Sequence, residues 1–169
     1  MRKALYILGD LMDQDLIWLA RAGELRDIEP GQLVIQEGRD LENLFIVTDG
    51  KLSVLVGGQE VAELGTGDVV GEMSFVEKQP PSADVRSKGS VRVLAVPRRA
   101  LLEEFRRNDA FAARFYRALA VFLSDRLRSM MPGSDDELDE GLLDSLHVAG
   151  DRMLRLIELL EGEGAVAPG

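Results

Sequence analysis

Short apolar runs separated by glycine constrain the fold of residues 25–96 more than any other feature of the sequence. Runs of this length are typical of β-strands and are too short for most helices. The pair Gly57-Gly58 lies between two such runs and predicts a two-residue hairpin turn. About eight short strands at this spacing indicate a barrel or jelly roll. We predict strands near Leu25–Ile28, Leu33–Gln36, Leu44–Thr48, Lys51–Val56, Glu60–Leu64, Val69–Val70, Ala83–Arg86 and Val91–Val96.

Helical patterns flank the predicted strands on both sides. The segment from Asp13 to Gly23 has an acidic start, spaced apolar residues and a glycine stop, which predicts a short helix with Asp13 as its N-cap. After the last strand, Pro97 is suited to the first position of another helix. The apolar stripe of that second helix contains Leu101, Leu102 and Phe105.

A longer amphipathic helix is predicted from Phe111 to about Met131, with two adjacent apolar stripes. The first stripe contains Phe111, Phe115, Ala118 and Phe122, and the second contains Tyr116, Leu119, Leu123, Leu127 and Met130. Together they are wider than one packing contact needs. Two interpretations stay open: the helix docks only on its own domain, or the helix Phe111–Met130 also forms the interface of a homodimer.

Most of the net charge of -10 belongs to the C-terminal end of the chain. Residues 132–169 contain ten acidic and two basic residues, whereas the preceding part is close to neutral. The expected organisation is an N-terminal helical segment (1–24), a β-roll with its long helix (25–131), an acidic linker (132–141) and a final amphipathic helix with a tail (142–169).

Composition argues against several classes of function. The negative net charge is unfavourable for nucleic acids, which require a basic surface. No apolar run approaches the roughly 18 residues of a membrane span, and the apolar core of the N-terminal segment is too short for a signal peptide. We therefore expect a cytoplasmic protein without a membrane partner. Because there is no cysteine and only one histidine, His147, we expect no metal site, no catalytic residues and no enzymatic activity.

Candidate site residues are concentrated in the stretch Gly67–Val85. Gly67 and Gly71 allow positive φ and can direct successive backbone N–H groups toward one anion. Glu72 follows Gly71 directly, and a single carboxylate there is suited to a ligand hydroxyl group. A Pro-Pro turn and a short extended piece complete the stretch. The pattern predicts a pocket for a small anion with one sugar-binding carboxylate.

Three glycine-containing segments, 28–38, 44–54 and 67–75, resemble the cyclic nucleotide-binding domains, a family that includes the catabolite activator protein and the regulatory subunit of cAMP-dependent kinase. The resemblance extends from about Met12 to Met130. It implies an α+β (mainly β) fold, an eight-stranded β-roll or jelly roll flanked by helices. It also implies that the stretch around Gly71–Val85 is the phosphate-binding cassette and that the ligand is cAMP or cGMP, with no other cofactor.

The resemblance also implies roles for individual residues. Glu72 matches the family's acidic residue that accepts a hydrogen bond from the ribose 2′-hydroxyl group, and the backbone of Gly71 and Met73 lines the sugar and phosphate. Ser82 and Ala83 match the pair that donates hydrogen bonds to the cyclic phosphate. The implied ligand-binding set is Gly71, Glu72, Met73, Ser74, Pro81, Ser82 and Ala83.

Pro81 departs from the family pattern, in which an arginine binds the phosphate at this position. Proline has neither a charge nor a backbone N–H. Losing a hydrogen bond to a charged group costs about 1.5–3 kcal/mol, which is about tenfold to a hundredfold or more in affinity. Arg86 is a weak substitute because strand alternation places it on the opposite side from residue 81. The pocket is therefore empty, filled by the protein itself or adapted to another ligand.

Two functional hypotheses follow from the sequence. The first is a stand-alone regulatory or sensory module in which ligand occupancy changes the position of the long helix and is detected by an unknown protein partner. The second is a domain that has lost its ligand and acts in protein–protein interactions. DNA binding is not expected, because no helix-turn-helix pattern follows the long helix.

Overall fold

Eight antiparallel strands form two four-stranded sheets in the computed structural model, which describes residues 9–129, 131 and 154–162. The strands are β1 Glu24–Ile28, β2 Leu33–Ile35, β3 Asn43–Asp49, β4 Leu52–Val56, β5 Gln59–Leu64, β6 Val69–Val70, β7 Asp84–Ser87 and β8 Val91–Pro97. Their order is β1-β8-β3-β6 in one sheet and β2-β7-β4-β5 in the other. This arrangement confirms the predicted β-roll, and the bounds of all eight strands lie within one residue of the predicted positions.

Inward-facing side chains from both sheets form the core of the β-roll. Phe45 and Val47 of β3 pack with Val93 of β8, and the second sheet contributes Leu52 and Val85. Burial of these side chains is the main favourable term for the roll. Strand alternation gives the sheets one apolar face each, so the two sheets must enclose the core together.

The β4–β5 connection is the predicted hairpin. Val56 pairs with Gln59, and the two residues between them, Gly57 and Gly58, have φ values of 59° and 82°. Positive φ at both central positions gives a turn whose twist matches that of the flanking strands, and glycine adopts it without steric cost.

Helices α1 Asp13–Ala22, α2 Glu72–Glu77, α3 Arg98–Arg107 and α4 Asp109–Ser129 accompany the strands, and residues 154–162 are also helical. The chain divides into two compact units: the β-roll unit, Arg21–Glu103, and the helical unit, which combines Met1–Ala20 with Glu104–Gly169. In the second unit, the first predicted stripe of α4 is completely buried at Phe111, Phe115, Ala118 and Phe122. Phe105 meets the ring of Phe111 edge-on at 5.3 Å. The core role of this stripe is confirmed.

The second stripe of α4 divides into a buried and an exposed part. Leu119 is 1% exposed, whereas Tyr116 is 42% and Leu127 59% exposed. The exposed side chains of Tyr116 and Leu127 are compatible with a homodimer interface, which stays a prediction.

The predicted N-cap of α1 is wrong. The amide of Leu16 donates to the carbonyl oxygen of Met12, so Met12 precedes the first helical residue and Asp13 lies inside the first turn. The carboxylate of Asp15 accepts a hydrogen bond of 2.8 Å from the Met12 amide. A carboxylate at the third helical position can reach back to the cap residue in this way, and here it replaces a capping side chain.

Two details of α3 also differ from the prediction. Pro97 is the last residue of β8, where it pairs with Asn43, and the helix begins one residue later at Arg98. Leu101 is buried, whereas Leu102 is 37% exposed. Successive helical residues are rotated by about 100°, so Leu102 cannot face the same core as Leu101.

Several predictions fall on residues outside the described ranges: the acidic linker 132–141, the first part of the final helix, His147 and Met130. Residues 154–162 of that predicted helix are helical, with Leu156 and Leu160 buried. No helix within the described ranges is both long and apolar enough to cross a lipid bilayer. Among the same residues, no three His, Cys, Asp or Glu side chains are grouped as a metal site.

Candidate functional site

The candidate site is built around the short helix α2, which the apolar pattern of the sequence did not reveal. Gly71 is its N-cap, with a φ of 91°. A Cβ atom at Gly71 would lie 3.0 Å from Cδ1 of Leu41. The left-handed conformation favours glycine, and the close approach of Leu41 leaves little room for a side chain. The predicted positive φ at this position is confirmed.

Glu72 and Ser74 lie on the buried side of α2. Each is only 5% exposed, whereas Met73 between them is 50% exposed. The Ser74 hydroxyl group donates a hydrogen bond to the carbonyl oxygen of Gln79. Burial restricts both side chains, and the hydrogen bond to Gln79 also orients that of Ser74. The side chain of Met73 is directed away from that buried side, so only its backbone is available to a ligand there.

Lys78 ends α2 in a left-handed conformation. Its φ is 57°, and its amide donates a hydrogen bond of 3.0 Å to the carbonyl oxygen of Ser74. Left-handed caps are common at helix ends and are usually occupied by glycine. The cap turns the chain out of the helix and toward the Pro-Pro segment.

The loop that contains the remaining predicted site residues is attached to the turn between β2 and β3. Pro81 and Ala83 are half-buried and Ser82 is exposed. The carbonyl oxygen of Pro81 accepts a hydrogen bond of 2.9 Å from the Gly38 amide. The Glu37 amide donates a 2.7 Å bond to Oδ1 of Asp84, where β7 begins. These two bonds position the loop. Sequence reasoning did not predict that Glu37, Gly38 and Asp84 hold it.

Two arginines of the β-roll unit are already bonded to backbone carbonyl groups. Nη1 of Arg86 donates a 2.7 Å hydrogen bond to the carbonyl oxygen of Gly31. Nη1 and Nη2 of Arg98 donate to the carbonyl oxygens of Leu41 and Ser74. Replacing the missing phosphate-binding arginine with either one would require breaking these bonds.

Comparison with known proteins agrees with this geometry. The family model of the cyclic nucleotide-binding domain matches residues 25–108. The cGMP-dependent protein kinase of Toxoplasma gondii is 34% identical over 64 residues, which are 38% of this chain and only 6% of the length of that kinase.

Two solved structures are similar to this chain. A cyclic nucleotide-binding domain from Methylobacillus flagellatus, 20% identical, has a TM-score of 0.69 and the match covers 81% of this chain and 85% of that one. The regulatory subunit of a cAMP-independent protein kinase A from Trypanosoma brucei, in a mutant form, is 26% identical, with a TM-score of 0.60 and coverage of 78% and 45%. The eight-stranded roll, the glycine-capped α2 and the family match together show that residues 25–108 belong to the cyclic nucleotide-binding domain family.

Proposed function

We propose that this chain is a regulatory module whose cassette, Gly71–Val85, binds a small ribose-containing phosphorylated ligand of the cAMP or cGMP type, with an affinity limited by Pro81. The observation that supports the proposal is the buried carboxylate of Glu72 on a helix whose N-cap, Gly71, has the required left-handed conformation. A buried carboxylate is a strong acceptor for a ligand hydroxyl group. The family relation suggests regulation rather than catalysis.

The limit on affinity follows from the charges around the loop. A cyclic phosphate is an anion, and the guanidinium that would bind it is absent at Pro81. The Trypanosoma brucei relative offers a parallel, because the mutant bound to cAMP in its A site carries a threonine-to-arginine change among its three substitutions. Introducing arginine is thus compatible with cAMP binding in a related domain that is described as cAMP-independent.

Isothermal titration with cAMP and cGMP tests the proposal on Pro81→Arg beside the unchanged protein. We expect the substitution to raise affinity by about tenfold to a hundredfold, because it adds charge-assisted hydrogen bonds to the phosphate. Pro80→Arg is the matched control: it removes a neighbouring, exposed proline and adds the same charge one position earlier. Glu72→Gln in the Pro81→Arg background should reverse most of the gain.

Two results would contradict the proposal. Equal gains from Pro80→Arg and Pro81→Arg would indicate nonspecific attraction of an anion. No heat from any variant at high micromolar nucleotide would indicate that the cassette has lost its ligand.

The second candidate function is an interaction module that does not bind a ligand. It is favoured by the hydrogen bonds of Glu37 and Gly38, which already order the loop, and by the exposed apolar side chains of Met73 and Val76 on α2. In that case nucleotide would shift the melting temperature of neither the unchanged protein nor Glu72→Gln. We further propose that the exposed side of α4 forms a homodimer, as discussed below.

A further inference from the structure

Arg98 connects three segments of the β-roll unit. Its amide donates a 2.9 Å hydrogen bond to the carbonyl oxygen of Glu42, and Nη1 donates a 2.9 Å bond to that of Leu41. Nη2 donates a 3.1 Å bond to the carbonyl oxygen of Ser74, and the guanidinium lies 5.7 Å from the centroid of the Phe75 ring. The first residue of α3 is therefore bound both to the segment before β3 and to α2.

These contacts hold α2 at both of its ends. At the C-terminal end, the Ser74 carbonyl oxygen accepts from Arg98 as well as from the Lys78 amide. At the N-terminal end, the side chain of Leu41 lies against Gly71, and the carbonyl group of the same Leu41 is bonded to Arg98. A displacement of α2 would thus have to break a bond to Arg98 or move the segment before β3.

The guanidinium of Arg98 has no carboxylate partner within the described ranges. It is half-buried, and it contacts its two carbonyl acceptors and the Phe75 ring. A planar guanidinium donates to two fixed acceptors from two different nitrogens, whereas all donors of an ammonium group share one nitrogen. The neighbouring Arg99 is 93% exposed at its side chain and pairs only loosely with Glu103, at 3.5 Å.

We propose that Arg98 is a positioning residue that holds α2, and with it the carboxylate of Glu72, in place. The seating of α2 follows from the described contacts alone, whereas its importance for a ligand rests on the proposed function. Because Glu72 is two residues before Ser74 on the same short helix, loosening the C-terminal end of α2 also loosens the ligand-binding carboxylate.

Hydrogen exchange of the unliganded, full-length protein tests the seating directly. The reporters are the amides of Phe75 and Lys78, which donate to the carbonyl oxygens of Gly71 and Ser74 within α2. We expect Arg98→Met to accelerate exchange at these two amides by about tenfold or more, because local opening of α2 no longer breaks charge-assisted bonds. Exchange in the β3–β8 ladder should stay unchanged.

Two further variants separate positioning from a general loss of stability. Arg98→Lys should rescue the exchange only in part, since lysine can reach one carbonyl group but not both in the same geometry. Arg99→Met, the matched control, should behave like the unchanged protein. The proposal is wrong if Arg98→Met exchanges no faster at α2 than Arg99→Met, or if it accelerates the β3–β8 ladder equally.

A ligand measurement then tests the link to Glu72. In the Pro81→Arg background, Arg98→Met should weaken cAMP binding by at least tenfold, whereas Arg99→Met should not. Unchanged affinity would refute the positioning of Glu72 by Arg98. Failure of Pro81→Arg itself to bind nucleotide would refute the proposed function, while the exchange of the unliganded protein would still decide the seating of α2.

Discussion

Asp15→Ala is expected to lower the free energy of unfolding of the helical unit by about 3–5 kcal/mol, the cost of breaking a buried ion pair. The Asp15 side chain is 1% exposed, and it accepts bonds of 2.7 and 2.8 Å from Nε and Nη2 of Arg114 in α4. It also accepts the bond from the Met12 amide, which would lose its acceptor. The same pairing raises the pKa of the Arg114 guanidinium, mainly through the hydrogen bonds to Asp15.

Urea unfolding followed by tryptophan fluorescence is the appropriate assay. Trp18 is the single tryptophan of the chain, and its ring lies 5.6 Å from that of Phe111, within the unit that contains the ion pair. Fluorescence therefore reports on that unit even if the β-roll unfolds separately. Arg114→Met should cost nearly as much as Asp15→Ala, because it leaves a buried carboxylate without its partner.

A double-mutant cycle measures the pair itself. The two losses should be far from additive, since the second substitution removes a charge that the first has already left unpaired. Arg117→Met is the matched control: this arginine of α4 is 76% exposed at its side chain and lies 3.9 Å from Asp10, so we expect a change within about 1 kcal/mol. A loss below about 1 kcal/mol for Asp15→Ala would refute the reasoning, because the pair would then behave like an exposed one.

Two further predictions concern a glycine and the surface of α4. In thermal unfolding, Gly50→Ala should destabilise the β-roll by more than Gly57→Ala. A Cβ at Gly50 would lie 2.6 Å from the Ser90 carbonyl oxygen, whereas one at Gly57 would meet nothing within 4 Å. Equal losses, of about 1–2 kcal/mol each, would show that positive φ alone is decisive. Leu127→Glu should convert the proposed homodimer to a monomer, as measured by light scattering. Leu154→Glu should not, although the Leu154 side chain is also exposed, at 61%. An unchanged protein that is already monomeric would contradict the dimer.

The fold was largely predictable because its signals are local. Glycine pairs such as Gly57-Gly58 and short apolar runs such as Val69–Val70 mark turns and strands through the conformations that single residues prefer. Errors occurred where several residues compete for one backbone group. Asp13 fits a cap by residue type, but Met12 precedes the helix, and its amide is bonded to the carboxylate of Asp15. That carboxylate also pairs with Arg114, a residue 99 positions away.

The candidate site was predictable only in part. Gly71 and Glu72 are adjacent, so their relation is visible in the local pattern, whereas α2 itself is six residues long and too short for a helical period to appear. The roles of Glu72, Ser82 and Ala83 toward a ligand remain predictions.

The sequence by itself determined the eight strands, the glycine turns and the position of Pro81, because each depends on the identity of one residue or its neighbours. Only the tertiary structure decided how the cassette is held. Arg98 reaches Leu41 and Ser74 across 57 and 24 positions, and Asp84 reaches Glu37 across 47. Such contacts form when the sheets bring distant backbone groups together, and nothing in the local preferences of these residues specifies their partners.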